Sequence, residues 1–523
     1  MKKAADIVIA GGGLAGLGLA KQLITATPDA NIIVLEKQSF PRPKAIAKVG
    51  ESTVEIGSHY LSNTLGLKDH LKKEHLKKFG IRMFFGEAAT DFSMQDELGA
   101  SQSFGIPTYQ IDRGDIENQL EQTVKAAGVK IIDNASVTAM ELNTTQHDIK
   151  INSGGEQLDI KARWLLDASG RASLIKNKLE LAASNKHQSN AVWFRIDRKI
   201  EVDSWTDNSA WQARCKPEGQ RWLSTNHLAG PGYWVWIIPL ASGVTSIGIV
   251  MDDQAFSDAG IISESTTMQW LHKNQKRCAE AIEGANFMDF VVLKDYSYDC
   301  KKIFSTDNWA ITGEAGVFTD PFYSPGSDFI AIGNSFISAL VGAEMKGEDI
   351  RFKTALYGSI FKSIQANTLS LYTGLYGGFG DRKMMGLKLL WDYSYYWGVL
   401  SLLFFNNALL DTKMLRDINP LLQKAQRLNH HIQERFAARA KMRLTLENRG
   451  GFMDQYQAPC LHNFNHQLMH ADGTQTMPQL KENIDSLEII SAAVIDMLGS
   501  NGVAHRNAAE AELLGNYRAL IQS

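Results

Sequence analysis

Apolar positions cluster early in the chain. Ala4–Ala10 is a short run rich in β-branched residues, which predicts a buried parallel strand. Glycines at 11, 12, 13 and 16 interrupt it, a helical apolar pattern follows through Ile24, and a second strand, Asn31–Leu35, ends at Glu36. Glu74–Phe85 predicts a short helix entering an alternating strand. Tyr109–Gly114 leads into a helix reaching Ala127, then a strand at Val129–Ile132. Trp164–Asp167 and Trp309–Thr312 are further apolar strands, and Asp328–Leu340 is helical. Between them, Ala191–Ile196, Tyr233–Pro239 and Val244–Met251 have β-branched and aromatic alternation, which predicts an antiparallel sheet. From about residue 340 onward the pattern is mostly helical. The expected division is 1–185 and 301–340 for a nucleotide-binding domain, 186–300 for a β-sheet substrate domain, and 341–523 for a helical C-terminal region.

The strand–glycine turn–helix–strand–acid order at the N-terminus carries chemistry. Gly11 permits the tight turn, Gly13 lets backbone approach a pyrophosphate, and Gly16 lets helix and strand pack closely. The helix N-terminus then offers N–H groups to the phosphates. Glu36, about twenty residues after Gly16, is placed to accept hydrogen bonds from ribose hydroxyls.

Length and composition narrow the class. A chain of 523 residues holds two or three domains, and 44% apolar with 21% charged residues is ordinary for a globular protein. A net charge of −3 gives no reason to expect nucleic acid. Cys215, Cys278, Cys300 and Cys460 form no CxxC pair, so the expectation is a reduced cytoplasmic protein without a metal site. The apolar N-terminal run is too short for a secretory signal and is already used by the nucleotide fold.

Several local features leave two readings open. In Gly50-Glu51-Ser52-Thr53, Ser52 or Thr53 could cap the next helix, with Glu55 completing a capping box, or the segment could lie along a flat cofactor. Arg113 at a helix start could contact a phosphate or pair with a carboxylate. Asp167-Ala168-Ser169-Gly170-Arg171 is a small-residue turn that lets backbone approach a cofactor, and Glu314 suits a sugar or ribityl hydroxyl. Ser324-Pro325-Gly326 precedes a helix and points N–H groups at a small ligand. Ten aromatics between Tyr372 and Phe405 are either core or an apolar pocket or partner-facing surface.

Taken together, these motifs resemble the flavin-dependent halogenases within the FAD monooxygenases, over roughly residues 5–340. GGGLAG at 11–16, the Arg113 segment, DASGR at 167–171 and GEAG at 313–316 look like the general FAD-binding pattern, which normally has Asp where Glu314 stands. GEST at 50–53 resembles the flavin strap, Tyr233–Pro239 (YWVWIIP) the W-x-W-x-I-P signature, and Lys78-Phe79-Gly80 the segment with the active-site lysine. Val317 stands where aromatic hydroxylases of the group carry histidine.

The resemblance implies an α/β, Rossmann-like FAD-binding fold of the p-hydroxybenzoate hydroxylase type. Into it is inserted an antiparallel β-sheet substrate domain, and a helical C-terminal region follows. It implies FAD held by Gly11, Gly13, Leu14, Ala15, Gly16, Glu36, Lys44, Glu51, Ser52, Arg113, Asp167, Gly313, Glu314 and Gly326. Substrate and tunnel positions would be Trp234, Trp236, Pro239, Tyr323, Ser324 and Pro325. The implied chemistry runs from reduced FAD and O2 through a C4a-hydroperoxide to hypohalous acid, with Lys78 as the catalytic group that delivers the halogen to a small electron-rich aromatic, free or carrier-bound. Trp234 and Trp236 would keep that substrate off the flavin.

Two departures stand out. Tryptophan halogenases carry Glu in the segment matching Asp320–Ser327, where this chain has Tyr323, which looks more like the phenol or pyrrole group. The halide is normally held by N–H groups of a Ser/Thr-Gly pair; here the pair is Pro325-Gly326, and proline has no N–H. This leaves a non-halogenating FAD monooxygenase, dehydrogenase or oxidase as the alternative. No second strand–GxGxxG–helix unit appears, so reduced flavin is expected from a separate reductase. The aromatic C-terminal stretch is a candidate for partner or peripheral membrane contact.

Overall fold

The first strand, Lys2–Ala10, lies at the centre of a parallel-dominated sheet. The structure, a computed structural model, describes residues 2–86, 91–471, 473–500 and 502–522. Lys2–Ala10 pairs in parallel with Ile32–Leu35 on one side and with Glu156–Asp167 on the other. Lys130–Ile132 extends the sheet beyond Ile32–Leu35, and Trp309–Ile311 runs parallel to the end of Glu156–Asp167. His147–Ser153 and Ala135–Glu141 add an antiparallel meander at the edge. The four residues Ile32–Leu35 are all buried, as an apolar run covered on both faces requires. Helices Leu14–Ala26 and Gly326–Met345 pack on each other in this unit. The second is the one helix, among the described residues, long and apolar enough to cross a membrane by length and composition. With 72% of its apolar window buried, it is a core helix here.

A second sheet has eight strands. Their order is Phe287–Leu293, Asn190–Ile196, Thr245–Met251, Tyr233–Pro239, Thr225–Gly230, Ile81–Phe85, Asp96–Gly99 and Phe452–Asp454. Its two faces differ. Phe84, Val192, Phe194, Leu228, Val235, Ile237, Ile247 and Ile249 form one continuous apolar core. On the other face a cross-strand row runs Trp193, Gly248, Trp236, His227, Met83. Gly248 is required there, since a Cβ would stand 2.2 Å from the Trp236 ring.

The chain divides into two compact units, 1–73 with 111–185 and 297–366, and 74–110 with 186–296 and 367–523. This differs from the sequence-based division. Residues 74–110 join the second unit because Ile81–Phe85 pairs with Thr225–Gly230 and Asp96–Gly99. Ile81–Phe85 does not alternate; every position is buried, as in a central strand. The helical C-terminal region is no separate domain either: it contributes Arg351–Leu369 largely to the first unit, while Phe452–Asp454 becomes an edge strand of the second sheet. Of the ten clustered aromatics, Tyr372, Tyr376, Phe379, Trp391, Trp397, Phe404 and Phe405 are buried, so the stretch is core rather than an exposed apolar surface.

One acid pins the second sheet to its neighbouring loops. Glu97 is fully buried and pairs with Arg82, with Arg221 at 2.8 Å and with Arg214 at 3.3 Å. Burial alone would raise its carboxyl; Arg82 and Arg221 outweigh that and hold it below the usual carboxylate range. Glu97→Gln leaves buried guanidinium charge uncompensated and is expected to cost about 3 kcal/mol, read as a lower midpoint in urea unfolding.

Candidate active site

In the first unit the site grows out of the glycine turn. Gly11 has φ +115°, and a Cβ on it would lie 2.2 Å from Ala168 O. A Cβ on Gly16 would lie 1.9 Å from Gly11 O, so helix and turn touch backbone to backbone. Gly13 is different: it is the N-cap of Leu14–Ala26, and a Cβ there meets no protein atom nearer than 3.7 Å. Glu36, 6% exposed, accepts from Gly12 N at 2.8 Å and Gln38 N at 2.9 Å and pairs with Arg42 at 2.9 Å.

A second carboxylate, which sequence reasoning missed, completes this corner. Glu117 accepts from Leu14 N at 3.2 Å and pairs with Arg113 at 3.0 Å, Lys48 at 2.8 Å, and Arg42. Its signal was its place one helical turn after Arg113. Arg42 and Lys48 lie in the basic loop whose Lys44 was the expected contact. Lys44 is instead exposed, 3.8 Å from Asp115. Arg113 pairs with a carboxylate and also donates to Val49 O at 2.6 Å. Glu36 and Glu117 face these three cations, and the carboxylates of Glu314 and Glu51 also act on Arg113. Burial first, then Arg113 and Arg42, depress Lys48 to about 7. A phosphate anion bound beside Lys48 would relieve that crowding of cations, so these residues fit a dinucleotide.

Residues 49–53 run alongside. Gly50 has φ +94° with Arg113 packed against it, and Ile111 N donates to Glu51 O at 2.7 Å. Glu51 and Ser52 are buried. The capping-box expectation fails: the helix is Glu55–His59, its N-cap is Val54, and neither Ser52 nor Thr53 caps it. The cap is tertiary, with Gly57 N donating to Asp328 Oδ1 at 2.8 Å. Asp167 uses its carboxylate on its own turn, accepting from Ser169 N at 3.0 Å and Ile175 N at 2.7 Å. Gly313 has φ +60°, and Glu314 lies 3.4 Å from Arg171, partly exposed. Tyr323 is buried, Ser324 has φ +56°, and Pro325 is the N-cap of the helix that begins at Gly326.

In the second unit, Lys78 is 4% exposed while Lys77 is exposed. Lys78 N donates to Thr108 O at 2.8 Å, and Phe79 N to Leu223 O at 3.0 Å. Trp234 and Trp236 share one sheet face, ring centroids 5.6 Å apart, and Pro239 closes their strand opposite Thr245. The structure thus gathers the glycines, Glu36 and Arg113 in one unit, and Lys78, Trp234 and Trp236 in the other.

A parallel sheet with this glycine turn and acid defines a dinucleotide-binding protein of the flavoprotein class. The sequence matches the tryptophan halogenase family over residues 6–93 and 82–350, and the chain belongs to that family, the flavin-dependent halogenases. It is 26% identical over 427 residues to the flavin-dependent halogenase chlA of Dictyostelium discoideum, covering 76% of this chain and 70% of that protein. It is 26% identical over 343 residues to a 1H-pyrrole-2-carbonyl peptidyl-carrier-protein chlorinase of Pseudomonas fluorescens, covering 61% and 72%. The fold is similar to that of halogenase PltM solved with phloroglucinol and FAD, with a TM-score of 0.68 at 16% identity, covering 99% of each chain. The protein is an enzyme, and FAD is its cofactor.

Two predictions follow from the glycine corner. Gly13→Val should stay folded yet lose FAD affinity by about a hundredfold or more, whereas Gly16→Ala should fail to fold normally; flavin-fluorescence titration and circular dichroism separate the two. Lys48 carries its charge below about 7, and an anion bound beside it raises that value. FAD affinity should therefore fall as pH rises above neutrality, by up to about tenfold per unit, and Lys48→Arg should flatten the slope in the same titration.

Proposed function

We propose that this enzyme halogenates an electron-rich aromatic of the phenol or pyrrole class, free or tethered to a carrier protein. The observation that carries the reading is the burial of Lys78, beside an exposed Lys77, in the unit that holds Trp234 and Trp236. Lysine is rarely fully buried unless paired, and its ammonium is a compact donor that can be aimed. Lys78 delivers the halogen to the ring carbon, by hydrogen bond or as an N-halogenated amine. Trp234 and Trp236 keep the substrate off the cofactor and so suppress direct hydroxylation.

Gly11, Gly13, Leu14, Ala15 and Gly16 hold the FAD pyrophosphate with Arg42, Lys48 and Arg113, Glu36 the ribose, Glu51 and Ser52 the flavin edge, and Gly313 and Glu314 the ribityl chain. Bound and reduced, FAD supplies the O2 chemistry that oxidises a halide. Tyr323, in place of the Glu of tryptophan-specific members, supports a phenol or pyrrole substrate. So do the names of two similar proteins, one acting on a carrier-bound pyrrole and one solved with phloroglucinol. Reduced FAD comes from a separate flavin reductase. A reducing, cytoplasmic setting belongs to the same reading, supported by four cysteines that are all buried and unpaired.

A second reading rests on Pro325. The helix N-cap where a halide would find an N–H is a proline, which removes one anion donor. On that reading the enzyme is an FAD monooxygenase or dehydrogenase without halide chemistry.

Turnover with reduced FAD, O2 and a panel of phenols and pyrroles, with chloride, bromide or no halide, decides between them. Halide-dependent mass shifts are expected; oxygenated or desaturated products formed without halide would establish the second reading. Lys78→Ala should lower halogenation about a hundredfold or more while FAD binding and hydrogen peroxide release survive, and Lys77→Ala should change little.

A further inference from the structure

The strand Thr225–Gly230 carries a histidine that the functional motifs leave unused. His227 is 1% exposed, and its ring stands edge-on to Trp234 with centroids 5.0 Å apart. It lies directly opposite Trp236 in the strand register, on the face shared by both tryptophans. The turn bearing Lys78 is clipped to the first residue of this strand and to the 3-10 turn that leads into it: Thr225 N donates to Gly80 O and Phe79 N to Leu223 O, each at 3.0 Å. Burial first, and then the Lys78 charge, push His227 down to about 3, so the imidazole is neutral at any working pH. A neutral imidazole offers one acceptor nitrogen, and next to an ammonium it is a partner rather than a like charge.

We infer that His227 is a positioning residue for Lys78: its unprotonated ring nitrogen accepts one N–H of the ammonium and so aims the remaining donors. The physical need is clear. A lysine stem has four rotatable carbons, and fixing its end in one direction requires a partner that is itself fixed. Trp234 packed against the ring supplies that rigidity, and the two backbone clips hold the Lys78 turn in register with the histidine. No bond is made or broken at His227. The inference rests on the reading of Lys78 as the halogen-delivering group.

Two substitutions test it. His227→Phe keeps a ring against Trp234 and removes the acceptor; His227→Gln restores an acceptor. The first readout needs no turnover: acetylation of Lys78 by acetic anhydride at one fixed alkaline pH, followed by peptide mass spectrometry. Losing one charge-assisted hydrogen bond destabilises the ammonium relative to the amine, so acetylation of Lys78 should quicken about tenfold in His227→Phe and return toward the wild-type rate in His227→Gln. The second is coupling: the share of oxidised flavin that ends in halogenated product should drop about tenfold in His227→Phe and be rescued by His227→Gln. FAD affinity serves as the folding control. An unchanged acetylation rate in His227→Phe overturns the inference, as does a change that Gln fails to rescue, which would mark a packing role. If wild-type enzyme gives no halide-dependent product on any aromatic, the halogenase reading falls, and the acetylation rates still decide what His227 does to Lys78.

Discussion

The first unit of this enzyme depends on a carboxylate placed where the chain meets itself four times. Glu117, with no exposed side-chain surface, holds the first N–H of the glycine-turn helix and the cations Arg42, Lys48 and Arg113. These groups come from the first helix, the proline-bearing loop and the helix Arg113–Ala126. Burying three cations without counter-charge would cost several kcal/mol each, so the corner forms only because Glu117 and Glu36 enter it.

The second unit solves a different problem with a two-faced sheet. One face is an ordinary apolar core, held by Val235, Ile237, Ile247 and Ile249. Strand geometry then sends the alternate residues to the opposite face, and there the sequence places Trp234, Trp236, His227 and Trp193. Ser246 ties two of these rings, accepting from Trp193 Nε1 at 3.0 Å and Trp236 Nε1 at 3.4 Å. Trp193 and Trp236 are therefore fixed by register and by hydrogen bonding as well as by packing.

Local pattern made much of this legible. A β-branched run followed by glycines at fixed spacing, a helix and an acid has one physical solution, because only glycine tolerates the backbone contacts at Gly11 and Gly16. The alternation in Tyr233–Pro239 likewise required Trp234 and Trp236 to share a face. The resemblance to the family, and with it the expected cofactor and enzyme class, rests on such short motifs. What only the tertiary structure decided involves partners distant in sequence. Asp328 rather than Ser52 caps the helix at Glu55, across 271 residues. Residues 74–110 join the second sheet because strand pairing with Thr225–Gly230 outweighs chain proximity. Arg42 and Lys48, not Lys44, turn inward because Glu117 is there to meet them. Periodicity reports which side of an element is apolar; it carries no information about which distant charge or N–H will be waiting when that side is buried.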